Sequence, residues 1–146
     1  MQKQVTQKGT MQQEIDEITE EIRKYNLKGS HEIKLLKHKI LKEMDFEPSE
    51  LKKYYKLLNE YRYIDEIDEI RYGSYIRWFN ISKKLESIDL MRGGFIVSMK
   101  PSKENDDIII LCKNGGNFFN IKMNHSIIFQ KNTSQEKLLI QILDTL

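Results

Sequence analysis

Cysteine, proline and glycine are scarce in this chain, and long apolar runs are missing altogether. With a single cysteine, Cys112, no disulfide can form within the chain, so the fold must stand on its core alone. A lone cysteine also suits a reducing compartment. No apolar stretch approaches the roughly 20 residues of a membrane span. The polar start MQKQVTQKGTMQQE lacks the apolar core of a signal peptide. The expectation is a soluble, intracellular protein with no membrane partner. A net charge of +2 excludes a strong field of one sign. Beyond Tyr72 ten Lys or Arg stand against seven Asp or Glu, an excess well short of the basic balance of an obligate nucleic-acid binder. Ile, Lys, Asn, Tyr and Glu are abundant while Ala, Pro and Gly are few, a bias that AT-rich codons produce by themselves.

Catalytic signatures are equally thin. His31 and His38 stand seven apart, not at the one-turn spacing that lets two imidazoles bind one metal, and His125 falls in a predicted loop. Cys112 lies in the apolar run IIILC, where a thiolate is costly. The acids gather in IDEITEEI and IDEIDEI, whose spacing puts them on the wet faces of helices. No serine has a nucleophile-elbow context. These absences argue against an enzyme and predict no metal and no cofactor.

What is present falls into two textures. Met11, Ile15, Ile18, Ile22 and Tyr25 recur at spacings of four, three, four and three, the seam of an amphipathic helix. Thr10 and Gln13 fit a capping box before it and Gly29 fits a stop after it. A second helix is predicted from Ser30, with Ile33, Leu36, Ile40 and Met44 as its stripe. A third follows Pro48 and runs through Leu51, Tyr54, Tyr55, Leu58 and Tyr61 into YRYIDEIDEI.

Beyond Gly73, β-branched and aromatic residues come in short runs bounded by turn residues, and five strands are predicted: 75–81, 94–100, 107–113, 117–123 and 126–130. KNGGN reads as a primed hairpin turn. A last helix is predicted over 134–146, with Ser134 as N-cap and Leu138, Leu139, Ile142 and Leu143 facing inward. The fold class is thus α+β: about three N-terminal helices, a small five-stranded antiparallel curled sheet or SH3-like or OB-like barrel, and a C-terminal helix. The expected organisation is a disordered tail at 1–10, a helical region at 11–71, and a small β domain with its C-terminal helix at 72–146.

In the strand YIRWFNI, Ile76, Trp78 and Asn80 share one face and Tyr75, Arg77, Phe79 and Ile81 the other. Both faces are largely apolar, which predicts cover on both sides, by the barrel interior and by the helical half. NFFNIKM alternates more cleanly, with Phe119, Ile121 and Met123 inward. In GFIVSMK the expectation is Phe95, Val97 and Met99 inward, with Ile96, Ser98 and Lys100 outward. If the outward faces adjoin, Arg77, Lys100, Lys122, Tyr75 and Phe118 form a basic surface interleaved with aromatic rings, which is how single-stranded nucleic acid is commonly held. The Gly93-Gly94 pair reads as a bulge or close backbone approach, and alternatively as room for a phosphate without a P-loop around it.

Three features of the C-terminal half, the run Gly73 to Trp78, the Gly93-Gly94 pair and the late Ile127-Ile128-Phe129-Gln130, resemble an uncharacterised protein family of large nucleocytoplasmic DNA viruses. The resemblance implies a virion or virus-factory protein in the cytoplasm of a host cell and carries over no activity or site residue. The function expected is a non-catalytic protein-interaction or structural module that docks to itself or to a protein partner through the helical seam. The alternative is a nucleic-acid-binding module using the basic, aromatic face.

Overall fold

The computed structural model describes residues 2–82 and 88–146 of the 146-residue chain. Within them the order is α1 (Gln2–Lys24), α2 (Ser30–Glu43), α3 (Pro48–Leu57), β1 (Tyr61–Ile64), β2 (Tyr75–Asn80), β3 (Gly94–Pro101), β4 (Ile108–Asn114), β5 (Asn117–Lys122), β6 (Ser126–Lys131) and α4 (Ser134–Asp144). The class is α+β, and the strands form one antiparallel sheet in the order β1-β6-β2-β3-β4-β5. The sheet is unclosed, with β1 and β5 as its edges.

Six strands stand where five were expected, because YRYI is a strand and not the end of the third helix. Tyr61 continues the helical stripe of Leu51, Tyr54 and Leu58 in sequence, yet α3 stops at Leu57 and Tyr61 to Ile64 pair with Lys131 to Ile128 of β6. Cross-strand pairing of an aromatic segment here outweighs a weak helical period. The sheet therefore reaches back across Tyr72, into the segment assigned to the helical region.

The helix ends differ as well. Helix α1 is already helical at Gln2, within the expected tail, so Thr10 and Gln13 lie inside it. Gly29 is the N-cap of α2, and α1 ends before Asn26, whose φ is +50°. The cap of α4 is Thr133, whose hydroxyl accepts from the Glu136 amide at 3.0 Å while the Glu136 carboxylate accepts from the Thr133 amide at 3.0 Å. That reciprocal box supersedes Ser134. Leu138, expected inward, is 56% exposed, and Leu139 and Ile140 are the buried residues that pack against Leu27 and Ile33.

Three clusters hold the molecule together. The inner face of the sheet contributes one, drawn from all six strands: Ile64, Ile76, Trp78, Ile96, Ile110, Cys112, Ile121 and Ile128, with Ile70. A cavity of about 340 Å³ at one end of this core is lined by Tyr63 and Ile64 of β1, Ile128 of β6, Ile108 of β4 and Met123. The second cluster lies on the outer face, where Leu41, Met44, Tyr54 and Leu58 from the helices cover Tyr61, Phe79 and Phe129. The third joins α1, α2 and α4 through Ile18, Ile22, Leu27, Ile33, Leu139 and Ile140.

Strand β2 is thus covered on both faces, with Ile76 and Trp78 in the inner cluster and Phe79 in the outer one. One end of the sheet is sealed by polar groups. Arg62 is buried against Glu136 of α4 at 2.5 Å, and Arg71 pairs with Glu21 of α1. Gln130, fully buried, accepts from the Arg71 amide at 3.0 Å and donates to the Glu69 carbonyl at 3.2 Å.

Candidate nucleic-acid interface

The helices cover only half of the sheet's outer face, over β1, β6 and β2. On β3, β4 and β5 the same face is open among the described residues, and antiparallel register arranges its side chains in rows. One row is Tyr75, Phe95, Lys113 and Phe118, each opposite the next across adjacent strands. The following rows are Ser98, Leu111 and Asn120, then Lys100, Ile109 and Lys122. Phe95, Val97 and Phe118 are 54%, 46% and 59% exposed, far beyond what a core position allows.

The rings in the first row are already organised. Tyr75 and Phe95 meet edge to face at 5.0 Å, and the Lys113 ammonium stands 5.4 Å from the centre of the Phe118 ring. Strands β3, β4 and β5 hold Lys100, Lys113 and Lys122 and no acid. A groove of about 460 Å³ runs between Lys100 and Lys122 over Leu111 and Asn120, with Glu104 of the β3–β4 loop as the one carboxylate in its lining. The surface is therefore cationic and partly aromatic, with apolar floor between its charges.

Of the five residues expected to form this surface, Lys100, Lys122 and Phe118 lie on the open face. Tyr75 stands at its border, half-buried, with its hydroxyl donating to the Arg92 carbonyl at 2.7 Å. Arg77 lies on the same border, where its Nε donates to the Met91 carbonyl at 2.9 Å. Two members were missed. Lys113 is legible from alternation, since it follows the inward Cys112. Phe95 is not, because the register of β3 against β4 shifts between Ile96 and Ser98. An extra residue there reverses the pleat on one side of it, so Ile96 is inward at 3% exposure while Phe95 and Val97 point outward, contrary to the expected phase.

The Gly93-Gly94 pair is a place of close approach. Gly93 has φ +102°, and a Cβ there would lie 2.3 Å from the Ile76 carbonyl oxygen; one on Gly94 would lie 2.9 Å from the Phe119 ring. Both glycines let β3 enter the sheet against crowded neighbours.

The helical seam divides in two. Ile18 and Ile22 pack into the third cluster, and the Tyr25 ring is covered by the Arg71 guanidinium at 4.3 Å. Met11 and Ile15 remain 62% and 53% exposed.

No group of three or more His, Cys, Asp or Glu is placed to hold a metal among the described residues. His38 stacks on Tyr55 at 4.9 Å, and His125 lies 3.9 Å from Asp107. Burial pushes the Cys112 thiol up to about 12, so it is not a nucleophile at neutral pH. No described helix is long and apolar enough to cross a membrane. Compared with known proteins, the chain matches no family model, no curated protein and no solved structure.

Proposed function

We propose that this chain is a non-catalytic binding module that holds single-stranded nucleic acid on the open outer face of β3, β4 and β5. The observation that carries this reading is the cross-strand row Tyr75, Phe95, Lys113 and Phe118 on a face whose strands contain three lysines and no acid. Phosphates meet Lys100, Lys113 and Lys122, and bases stack on Phe95 and Phe118 at about 1–3 kcal/mol each. Lysine is depleted in the cores of protein–protein interfaces. Three lysines on this face therefore favour a polyanion over a folded protein partner.

The helical seam, which leads the expectation from sequence, loses weight because Ile18 and Ile22 are already spent inside the molecule. Self-association remains as the second reading, supported by the exposed Met11 and Ile15. A place in a virion or virus factory, implied by the resemblance of the C-terminal half, accommodates either role.

The test is fluorescence anisotropy of a short labelled mixed-sequence single strand across a salt series. Each phosphate neutralised on a single strand contributes about −0.7 to the slope of log K against log salt. Three lysines then give a slope of about −2, which Lys113→Ala reduces by about 0.7. Phe118→Ala weakens binding at every salt concentration and leaves the slope unchanged. Absence of binding at low salt, together with a salt-resistant dimer on a sizing column, overturns this reading in favour of the helical seam.

A further inference from the structure

Where the inner face of the sheet opens at one end, β2 and β5 enclose a cavity of about 480 Å³ that includes Trp78, Asn80, Asn114, Asn117 and Phe119 in its lining. Its size falls within the roughly 300–1,000 Å³ of small-molecule sites. One wall is aromatic: the Trp78 and Phe119 rings lie 5.4 Å apart with their planes inclined at 39°. The polar side chains of the lining are the amides of Asn80, Asn114, Asn117 and Asn120 and the Arg92 guanidinium, and no carboxylate is among them.

Two of those amides are held in fixed orientations. The Asn80 Oδ1 accepts from the Ser82 amide at 3.0 Å and from the Ser82 hydroxyl at 2.6 Å, which leaves the Asn80 NH2 as a donor. The Asn114 Nδ2 donates to the Gly93 carbonyl at 2.8 Å, which leaves the Asn114 Oδ1 as an acceptor. A neutral donor and a neutral acceptor, fixed beside an aromatic wall, match the hydrogen-bonding edge and the flat face of a nucleobase. The amides outnumber the one charged group of the lining, Arg92, which favours a neutral ring over a polyanion.

We infer that this cavity holds a single nucleobase, stacked on the partly exposed Phe119 ring with the edge of the buried Trp78 beneath it, and read by Asn80 and Asn114. The inference rests on the nucleic-acid reading of the outer face for its biological sense, because Asn120 lines both this cavity and the lysine groove. A strand lying across Lys100 and Lys122 therefore reaches the cavity by passing over the edge strand β5, and one base turns inward while its neighbours stay on the outer rings.

Trp78 is the sole tryptophan of the chain and projects from the face opposite the lysines, so a ligand held on the outer face alone does not touch it. The experiment titrates the full chain with adenosine, guanosine, cytidine and uridine, and with ribose as control, following Trp78 fluorescence. Saturable quenching by at least one nucleoside, absent with ribose, is expected. Asn80→Asp keeps the acceptor that holds Ser82 and removes the amide donor, and it weakens the response about tenfold, the cost of one directed hydrogen bond. No quenching by any nucleoside, equal quenching by ribose, or an unchanged response in Asn80→Asp overturns the assignment. Anisotropy of the labelled single strand, measured in parallel, separates the two readings. Strand binding with no nucleoside response rejects the base pocket and keeps the outer face; nucleoside quenching without strand binding does the reverse.

Discussion

The outer face of one sheet is a core on its first half and a surface on its second. Over β1, β6 and β2 it presents Tyr61, Phe129 and Phe79 to α2 and α3, and Phe79 and Phe129 are fully buried. Over β3, β4 and β5 it presents Phe95, Lys113, Phe118, Lys100 and Lys122, and both phenylalanines are more than half exposed. Aromatic rings occur on both halves, Tyr61, Tyr63, Phe79 and Phe129 on the first and Phe95 and Phe118 on the second. What differs is the company they keep, for lysines interleave the rings of the open half, whereas on the covered half the one lysine of these strands, Lys131, stands at the end of β6 opposite Tyr61. A ring beside an ammonium gains a cation–π contact and keeps its neighbour hydrated, whereas a ring beneath a helix needs apolar neighbours to exclude water. The distribution of lysine thus marks the half of the sheet that the chain leaves uncovered.

The largest test of this contrast is Phe79→Ala. Its ring packs against Phe46, Tyr54 and Phe129 at 5.3, 5.0 and 6.0 Å, so its loss leaves a cavity between helix and sheet. Urea unfolding is expected to show a loss of about 3–5 kcal/mol. A stability change below about 1 kcal/mol would mean that the helices do not seal this half.

An intermediate effect is expected with pH, and it too belongs to the covered half. Lys37 is buried there, donating to the Leu58 carbonyl at 2.9 Å and the Tyr61 carbonyl at 2.8 Å. Burial, with Lys34 nearby, lowers its pKa from 10.5 to about 8. Below pH 8 folded and unfolded chains both carry the charge, and the cost of burying it is present in full. Between about 8 and 10.5 the folded chain releases a proton that the unfolded chain keeps, so this group makes stability rise with pH.

Cys112 and Tyr63 act in the opposite sense. Burial raises each to about 12, from 9.0 and 10.0, so above those values the unfolded chain loses protons that the folded chain retains and stability falls. Urea midpoints measured from pH 7 to 11 are expected to pass through a maximum near about pH 9. Lys37→Met removes the rising limb and leaves the falling one; a rising limb that persists in this variant would assign it to another group.

The smallest stability effect is expected on the open half. Phe118→Ala changes the unfolding free energy by less than about 0.5 kcal/mol, as at other exposed positions. The same substitution that is nearly silent in urea weakens strand binding, and that separation of stability from affinity is what distinguishes a presented ring from a packed one. A loss comparable to that of Phe79→Ala would show that the outer face of β5 is covered.

Much of this architecture was legible in local patterns. The five strands after Gly73 lie within a residue or two of their expected limits, since alternation and turn residues such as Asn114-Gly115-Gly116-Asn117 are properties of adjacent residues. The same alternation placed Phe118, Asn120 and Lys122 outward and Phe119 and Ile121 inward. It failed at β1, where four residues fit a helix as well as a strand until β6 is there to pair with them, and at β3, where a register shift is invisible without β4. For the candidate interface, Lys100, Lys122 and Phe118 were readable from pleat parity alone. Phe95 was hidden by the shift, and the fastening of Arg77 to Met91 depends on a segment that no periodicity describes.

The amino-acid sequence by itself determined most of the elements, β1 excepted, because helix and strand periods are set by backbone geometry and by the nearest few side chains. Only the tertiary structure decided which half of the sheet the helices cover, which rings became core, and which amides converge beside Trp78. Those outcomes depend on contacts between residues far apart in the chain, whose energies have no local signature until the chain has folded.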